Sequence, residues 1–246
     1  MSSCVRSSPM SDVLLLHAGI GDRRMWAPQI EALSDAGHRV LAPDLPGFGN
    51  APLEPGTIAY VDHAAALLDG PGAVVGCSFG GRVALELALA HAELVERLVL
   101  IGAGLGRWDW SAKAQAGFAE EEEAIERGEL AAAAASQASM WLAPDAAPAV
   151  RELTEAMTIR SYEQQLPLEG QVQAVWPERS AEERLGEIGV PTLVVLGAED
   201  VEDIAQMAER LVAGIPGARL EEIEGAGHLP SLERPDELNR LLLDFL

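Results

Sequence analysis

The feature that most constrains this chain is the pentapeptide Gly76-Cys77-Ser78-Phe79-Gly80, which stands between a short apolar run and an apolar-periodic helical pattern. Glycines two positions on either side of a serine allow a sharp strand-to-helix turn that Cβ atoms would crowd. Such a turn presents the serine hydroxyl at the end of a strand, beside the free N–H groups of a helix N-terminus, which favour negative charge. The pattern therefore predicts that Ser78 is a nucleophile for acyl chemistry, although an isolated string of this kind can also be an ordinary turn.

The composition predicts a globular protein of one domain with an insertion, or of two small domains. Apolar residues make up 48% of the 246 residues, and the formal net charge of −22 disfavours nucleic acid and anionic lipid as partners. The N-terminus lacks the apolar stretch of a signal peptide, and no apolar run approaches the ~20 residues that span a membrane. Cys4 and Cys77 are not expected to form a disulfide, so we expect a soluble cytoplasmic protein that does not act at membranes.

Short apolar runs alternate with helical patterns along most of the chain, which predicts a mostly parallel sheet flanked by helices. The runs are nearly continuous in Val, Leu and Ile, as is typical of strands that are buried on both faces. The predicted strands are Val13–His17, Arg39–Ala42, Ala73–Cys77, Leu98–Ile101, Thr192–Leu196 and Arg219–Ile223. The predicted helices around them are Trp26–Ala36, Tyr60–Leu68, Gly81–His91, Ile204–Val212 and Pro235–Phe245.

The alternation stops after Leu105, and residues 107–187, here named the cap segment, carry helical patterns only. A block of helices inserted between two strands predicts a lid over one end of the sheet, so residues 1–106 and 188–246 are expected to form the core. The glycine-rich run from Gly102 to Gly106 is interpreted as the hinge into this lid. The predicted helices of the cap segment are Ala114–Arg127, Glu129–Trp141 and Val150–Gln165.

The sequence also offers candidates for the walls of a substrate pocket. Four of the five tryptophans lie in the cap segment, where they either anchor a small helical subdomain or face an apolar substrate pocket. The residues predicted to line such a pocket are Ile20, Trp108, Trp141, Trp176 and Leu229.

Two further side chains supply what a serine nucleophile needs, namely a base and a carboxylate that orients the base. His228 follows the last predicted strand within a run of small residues, and Asp200 follows the strand Thr192–Leu196. The chain order of Ser78, Asp200 and His228 is that of one of the known serine-triad arrangements. All three residues follow strand C-termini, where open parallel sheets bind their ligands.

Other residues could replace members of this predicted triad. Glu199, Asp203 and Asp109 compete with Asp200, although Glu199 is expected to point away and Asp203 to cap the next helix. Cys77 precedes the apex of the turn, so its side chain is expected to face the sheet rather than a substrate. No spacing of His, Cys and Asp indicates a metal site.

A site for the oxyanion of a tetrahedral intermediate is predicted at the end of the first strand. The small residues after His17 form a loop that can turn an N–H group toward Ser78, so the predicted donors are the amides of Gly19 and Phe79. His17 itself is interpreted as a structural residue that braces this loop.

Taken together, these motifs resemble an α/β-hydrolase with a helical cap. The five motifs together are more specific than any one of them alone. The resemblance covers the chain from residue 13 to the C-terminus, apart from the cap segment. The motifs are His17-Ala18-Gly19, Asp44–Gly49, Gly76–Gly81, Pro191–Asp200, and Gly225–Pro230 followed by Leu232–Pro235. The resemblance implies a mostly parallel sheet, a Ser–Asp–His triad and no cofactor.

The chain departs from this family in two places. Alanine at position 18 stands where the family usually has glycine, and alanine allows fewer backbone conformations in this loop. The family also has two strands before the strand that leads to His17, whereas residues 2–11 are too polar and too few for them. We therefore expect a sheet of about six strands with a bare edge, which invites a homodimer or another cover.

The resemblance implies a serine hydrolase that acts on a small ester or lactone. Similar sequences include carboxylesterases, enol-lactonases, perhydrolases, hydroxynitrile lyases and the C–C bond hydrolases of aromatic degradation. The C–C hydrolase alternative requires polar groups that hold a carboxylated substrate, and Arg82 is the conspicuous candidate. A second alternative is a ligand-binding sensor whose triad is slow or vestigial.

Overall fold

The structure, a computed structural model, describes residues 12–246, and its centre is a six-stranded sheet in which every neighbouring pair is parallel. The strands of the described residues are β1 (Asp12–Leu16), β2 (Arg39–Leu41), β3 (Gly56–Ile58), β4 (Gly72–Cys77), β5 (Val95–Ile101), β6 (Val172–Ala174), β7 (Thr192–Gly197) and β8 (Arg219–Ile223). The order across the large sheet is β2-β1-β4-β5-β7-β8. The C-terminal ends of β1, β4, β5 and β7 therefore lie side by side.

Helices cover this sheet as the alternating pattern predicts. They are α1 (Ala27–Asp35), α2 (Tyr60–Ala65), α3 (Phe79–Ala90), α4 (Ala112–Glu126), α5 (Leu130–Trp141), α6 (Pro148–Gln165), α7 (Glu202–Gly214), α8 (Pro230–Glu233) and α9 (Pro235–Phe245). All residues of β4 and β7 are buried, because helices pack on both faces of the sheet. The six predicted sheet strands are confirmed, with ends that differ by a few residues.

The two edges of the large sheet are β2 and β8. The expected six-stranded α/β architecture is confirmed, whereas the expected absence of earlier strands concerns residues 1–11, which lie outside the described residues, as does Cys4. Cover of the bare edge by a second copy of the chain stays a prediction. No helix within residues 12–246 combines the length and the apolar character needed to cross a membrane.

The cap segment is not entirely helical, which corrects the prediction from sequence. Its residues Val172–Ala174 form β6, which pairs in parallel with β3 from the core in a separate two-stranded sheet. The amide of Val175 extends this ladder by donating to the carbonyl oxygen of Ile58 at 2.8 Å. A largely exposed strand of three residues is too short for the alternation that identifies strands in a sequence, so the pattern does not reveal it.

The start of the cap segment is bonded to the core through Asp203 in the first turn of α7. The Asp203 carboxylate accepts hydrogen bonds from the amide of Ser111 at 2.8 Å, its hydroxyl at 2.7 Å and the Trp108 indole N–H at 3.3 Å. Ser111 in turn caps α4. The prediction that Asp203 caps its own helix is therefore wrong, because its side chain reaches across to the cap segment and α7 has Val201 at the N-cap position.

Replacing Asp203 by Ala is expected to lower the free energy of unfolding by about 1–3 kcal/mol, because Ser111 and Trp108 lose a buried acceptor. Glu202→Ala is the matched control: it removes a neighbouring carboxylate from the same helical turn but leaves these bonds intact, and we expect a change below about 1 kcal/mol. Urea denaturation followed by circular dichroism measures both variants. Equal losses for the two would show that the Ser111 contacts contribute nothing.

Candidate active site

Ser78 occupies the turn between β4 and α3, and its backbone lies in an unusual conformation, with φ of 53° and ψ of −112°. Three backbone hydrogen bonds hold this turn. The Ser78 amide donates to the carbonyl of Ile101 at 2.9 Å, and the Ser78 carbonyl accepts from the amides of Arg82 at 2.9 Å and Gly104 at 3.2 Å. The predicted sharp turn is therefore present, and Ser78 keeps a partly exposed side chain at its apex.

Close backbone packing explains the glycines of this turn. A Cβ atom at Gly80 would collide with the carbonyl of Leu16 in β1, and one at Gly76 would collide with the carbonyl of Gly80. The amide of Gly80 also donates to the carbonyl of His17 at 3.0 Å. Because α3 begins this close to the end of β1, the loop that follows β1 lies beside Ser78.

His228 and Asp200 form a buried hydrogen-bonded pair. The His228 Nδ1 atom lies 2.7 Å from Asp200 Oδ2, and each side chain is 1% exposed. The other oxygen of Asp200 accepts from the amide of Val201 at 2.8 Å, which holds the carboxylate in place. Of the four carboxylates considered from sequence, Asp200 is the one bonded to His228.

The backbone of His228 lies directly against the residue that precedes Ser78. The Cys77 thiol donates to the carbonyl of His228 at an Sγ–O distance of 3.6 Å. Burial raises the pKa of the Cys77 thiol well above its ordinary value, so the thiol stays protonated. Cys77 faces the core, as predicted, and its thiol bond places the His228 loop next to the turn at Ser78.

Trp141, at the end of α5, covers the imidazole of His228. The two rings lie 4.4 Å apart between centroids at an angle of 34°, and the carbonyl of Trp141 accepts from the amide of His228 at 2.7 Å. The indole N–H donates to Gln137 at 2.7 Å, which fixes the ring. The cap segment therefore contacts the His–Asp pair directly.

Glu233, on α8, organises the loop that carries His228, and sequence reasoning did not assign it a role. Its buried carboxylate accepts from the amides on both sides of His228, at 3.1 Å from Gly227 and 3.0 Å from Leu229. It also accepts from Ala143 of the cap segment at 2.7 Å. The signal available in the sequence was a carboxylate five residues after His228, at the end of a helical turn that begins with Pro230.

Gly102, at the end of β5, closes the other side of the pair. Its φ is 49°, and a Cβ atom there would lie 3.1 Å from Nδ1 of His228 and 3.3 Å from Oδ2 of Asp200. The Gly102 amide donates to the carbonyl of Val195 at 2.9 Å. The residue interpreted from sequence as a hinge is therefore packed tightly against the imidazole and the carboxylate.

The loop after β1 brings Gly19 beside Phe79, as predicted. A Cβ atom at Gly19 would lie 3.7 Å from that of Phe79, and Phe79 is the first residue of α3, whose N–H has no partner within the helix. His17 braces this loop: its Nε2 accepts from the amide of Leu45 at 2.9 Å, and its Nδ1 lies 2.9 Å from the carbonyl oxygen of Ala18. Burial lowers the pKa of His17, which favours the neutral ring that this pair of bonds requires.

A cavity of about 430 Å³ lies beside this loop, between the core and the cap segment. Of the predicted pocket residues, Ile20 and Trp176 line it together with Gly19 and Phe79. Arg82 also lines it, one helical turn after Ser78.

The other predicted pocket residues lie elsewhere in the structure. Trp141 covers His228, and Trp108 is bonded to Asp203 on α7. Leu229 follows His228 in the chain and is wholly buried. These side chains lie outside the cavity because of long-range hydrogen bonds and burial. The residue type alone reveals neither the hydrogen bonds nor the burial.

Comparison with known proteins agrees with this architecture. A model of the alpha/beta hydrolase family matches residues 13–241. A protein named as a carbamate hydrolase, RutD, from Azorhizobium caulinodans is 30% identical, and the match covers 94% of this chain and 90% of that protein. The 2-hydroxy-6-oxononadienedioate/2-hydroxy-6-oxononatrienedioate hydrolase 1 of Dechloromonas aromatica is 28% identical over 97% of this chain and 88% of its own length.

A similar solved structure is that of a thermophilic esterase from Thermogutta terrifontis with malate bound. Its TM-score is 0.77 at 25% sequence identity, and the match covers 95% of this chain and 88% of the esterase. The relatives thus share nearly the whole length of the chain while their names describe different hydrolytic reactions.

Substituting Gly102 by Ala is expected to lower the free energy of unfolding by about 1–3 kcal/mol, because a Cβ atom would strain the backbone and press on the His228–Asp200 pair. Gly104→Ala is the matched control in the same loop, where the nearest atom to a Cβ lies 3.8 Å away, and we expect a change below about 1 kcal/mol. Chemical denaturation compares the two variants. A Gly102 variant as stable as the Gly104 variant would contradict the packing described.

Proposed function

The chain belongs to the alpha/beta hydrolase family, and on that premise we propose that it is a serine hydrolase that cleaves an ester-like bond, as carboxylesterases and lactonases do. Ser78 is the nucleophile, His228 the general base and then the general acid, and Asp200 the group that orients His228. The observation that carries the proposal is the 2.7 Å hydrogen bond between His228 and Asp200, two buried side chains held next to the Ser78 turn by loops from different strands.

In the proposed first half-reaction, Ser78 Oγ attacks the carbonyl carbon of the substrate while His228 Nε2 accepts the hydroxyl proton. Asp200 holds Nδ1 of His228 in its protonated form, which leaves Nε2 free to act as the base, and it stabilises the imidazolium that results. The tetrahedral intermediate then collapses, and His228 returns the proton to the leaving alcohol. An acyl group remains on Ser78.

In the second half-reaction, His228 takes a proton from water, and the resulting hydroxide attacks the acyl carbon. Collapse of the second tetrahedral intermediate releases the carboxylic acid, and His228 returns the proton to Ser78. In both halves the oxyanion faces the amides of Gly19 and Phe79, and each such donor contributes roughly 2.7–4 kcal/mol of transition-state stabilisation in related systems. Backbone donors suit this role because the fold holds them in place before charge develops.

Two contacts support His228 in this mechanism. Glu233 binds the amides before and after it, and Trp141 covers its ring and accepts from its amide. Because a misplacement of about 1 Å can cost roughly 100-fold in rate, we assign Glu233 as a positioning residue for the base. Its carboxylate does not touch the reacting atoms.

A second candidate function is hydrolysis of a C–C bond. It is favoured by the relative named as a 2-hydroxy-6-oxononadienedioate hydrolase and by the presence of Arg82 in the cavity. An ester or lactone remains the first choice because its cleavage requires nothing beyond the triad and the oxyanion donors. The remaining alternative is a ligand-binding sensor whose triad is slow or vestigial. Labelling and turnover of the Ser78→Ala variant and the wild type distinguish this sensor from an esterase.

The Ser78→Ala variant is expected to lose labelling by a fluorophosphonate and at least about 10³-fold of the turnover of p-nitrophenyl esters from acetate to decanoate. Ser139→Ala, an exposed serine of α5, is the control and keeps both properties. Mass spectrometry of the labelled wild type locates the adduct, which we expect on Ser78. A wild type that binds ligands but is neither labelled nor active would favour the sensor.

Glu233→Gln is expected to lower kcat for esters by roughly 10- to 100-fold with a smaller change in KM, because an amide group facing three N–H donors displaces the His228 loop. The apparent pKa that the pH profile of kcat/KM reports for the general base should shift as well. A loss of stability alone would not produce this shift. Glu237→Gln on α9, an exposed site, serves as the control. Unchanged kcat in a folded Glu233 variant would remove the positioning role.

A further inference from the structure

Arg82 is a cation inside the cavity that the proposed mechanism does not use. It lies on α3 one helical turn after Ser78, and its guanidinium carbon is 3.6 Å from the centroid of the Trp176 ring. Trp176 is held in place by its stacking on Tyr60, with centroids 6.2 Å apart, and by its edge contact with Phe79 at 6.0 Å. All four side chains line the cavity.

Within the described part of the chain, Arg82 forms no ion pair and no side-chain hydrogen bond. No salt bridge joins it to Glu86, although residues four apart on a helix are neighbours that usually pair. Its Nε atom is buried without any hydrogen-bond partner. The Glu86 carboxylate instead accepts a hydrogen bond from the amide of Ala181 in the cap segment at 3.3 Å.

A half-buried guanidinium without an ion-pair partner is only partly compensated, because burial removes water from the charge and no carboxylate of the described residues bonds to it directly. Consistent with this environment, burial lowers the pKa of Arg82, and Glu86 and Glu182 offset that effect only partly. The cavity's own carboxylate, Glu121, is bonded to the hydroxyl of Tyr162 at 2.5 Å. Glu86 and Glu121 are thus bonded to other groups, and Arg82 can form an ion pair with an anion that is not part of the protein.

We propose that Arg82 binds a carboxylate group of the substrate, so that this hydrolase acts on esters or lactones that carry a free acid. The proposal rests on the proposed function for the position of the scissile carbonyl at Ser78. It goes further by naming the chemical class of a second group of the substrate, which would lie in the cavity beside Arg82.

The geometry of Arg82 suits a carboxylate. Its stacking on Trp176 uses the face of the guanidinium and leaves the N–H groups at its edge, which match the two oxygens of a carboxylate. Side chains on a helix lean toward its N-terminus, which here is the Ser78 end, and one turn advances about 5.4 Å along the axis. Because Arg82 follows Ser78 by one turn of the same helix, we expect the acid group and the reacting carbonyl to be joined by a short carbon chain.

The overall charge of the chain makes a local contact necessary. A net charge of −22 repels anions at long range, so the acidic group of a substrate gains nothing from the general field of the protein. Among the described residues that line this cavity, Arg82 is the one cation, so the binding of a carboxylate there depends on it. Neutralising Arg82 should accordingly remove the preference for acidic substrates.

The test compares two glutarate esters that differ in one group: p-nitrophenyl hydrogen glutarate carries a free acid, and methyl p-nitrophenyl glutarate carries it as a methyl ester. For the wild type we expect a higher kcat/KM for the free acid. In Arg82→Met the ratio of the two kcat/KM values should fall by about 10- to 100-fold, mainly through the KM of the acid, as expected for a lost charged hydrogen bond. Arg82→Lys should retain an intermediate ratio.

Arg240→Met on α9 is the control for the loss of an arginine, and it should keep the wild-type ratio because Arg240 is exposed and distant in sequence from the cavity residues. Circular dichroism and thermal denaturation establish that each variant is folded. An Arg82→Met variant that is folded and keeps the wild-type ratio would overturn the proposal, as would a wild type that prefers the methyl ester.

A binding experiment separates this proposal from the proposed function. Calorimetry measures the Kd of glutarate for Ser78→Ala and for Ser78→Ala with Arg82→Met, so that no turnover is needed, and we expect at least a tenfold weaker Kd in the second. If glutarate binding depends on Arg82 while the wild type hydrolyses no ester, the result supports the carboxylate subsite and contradicts the esterase function. If esters are hydrolysed but the Kd of glutarate is unchanged by Arg82→Met, the result supports the proposed function and contradicts the carboxylate subsite.

Discussion

The backbone turn at Ser78 is the constraint on which the rest of the structure depends. A residue with positive φ at the end of β4 allows α3 to start so close to β1 that its second residue bonds to the carbonyl of His17. That contact places the Gly19 loop, the start of α3 and the Ser78 side chain at one point of the sheet edge. The neighbouring strands β5 and β7 then end beside it, which brings Gly102 and Asp200 to the same place.

The cap segment completes the site rather than only covering it. Trp141 lies on the ring of His228, and Ala143 shares the Glu233 carboxylate with the two amides that flank His228. At its other end, β6 pairs with β3 and positions Trp176 over Arg82. The segment thus contributes to the support of His228 and to the wall of the cavity, so under the proposed function a change in its docking would affect both rate and specificity.

The features of the structure that could be predicted from the sequence share one property, which is that local sequence explains them. The strands of the large sheet are apolar runs, and Ser78, Asp200 and His228 each follow one of these runs directly. The features that were missed depend on partners distant in sequence. β6 exists because β3 lies beside it, Asp203 turns toward Ser111 rather than capping α7, and Glu233 acts through the amides of a loop and of the cap segment.

The sequence by itself determined the alternation of strands and helices, the sharp turn at Ser78 and the chain order of the serine, the aspartate and the histidine. These follow from hydrophobic periodicity and from the small residues that a tight turn requires, both of which are local properties. Only the tertiary structure decided which tryptophan covers His228, which lines the cavity and which bonds to Asp203. It also left Arg82 without an ion-pair partner among residues 12–246, because burial and long-range hydrogen bonds are set by packing between segments far apart in the chain.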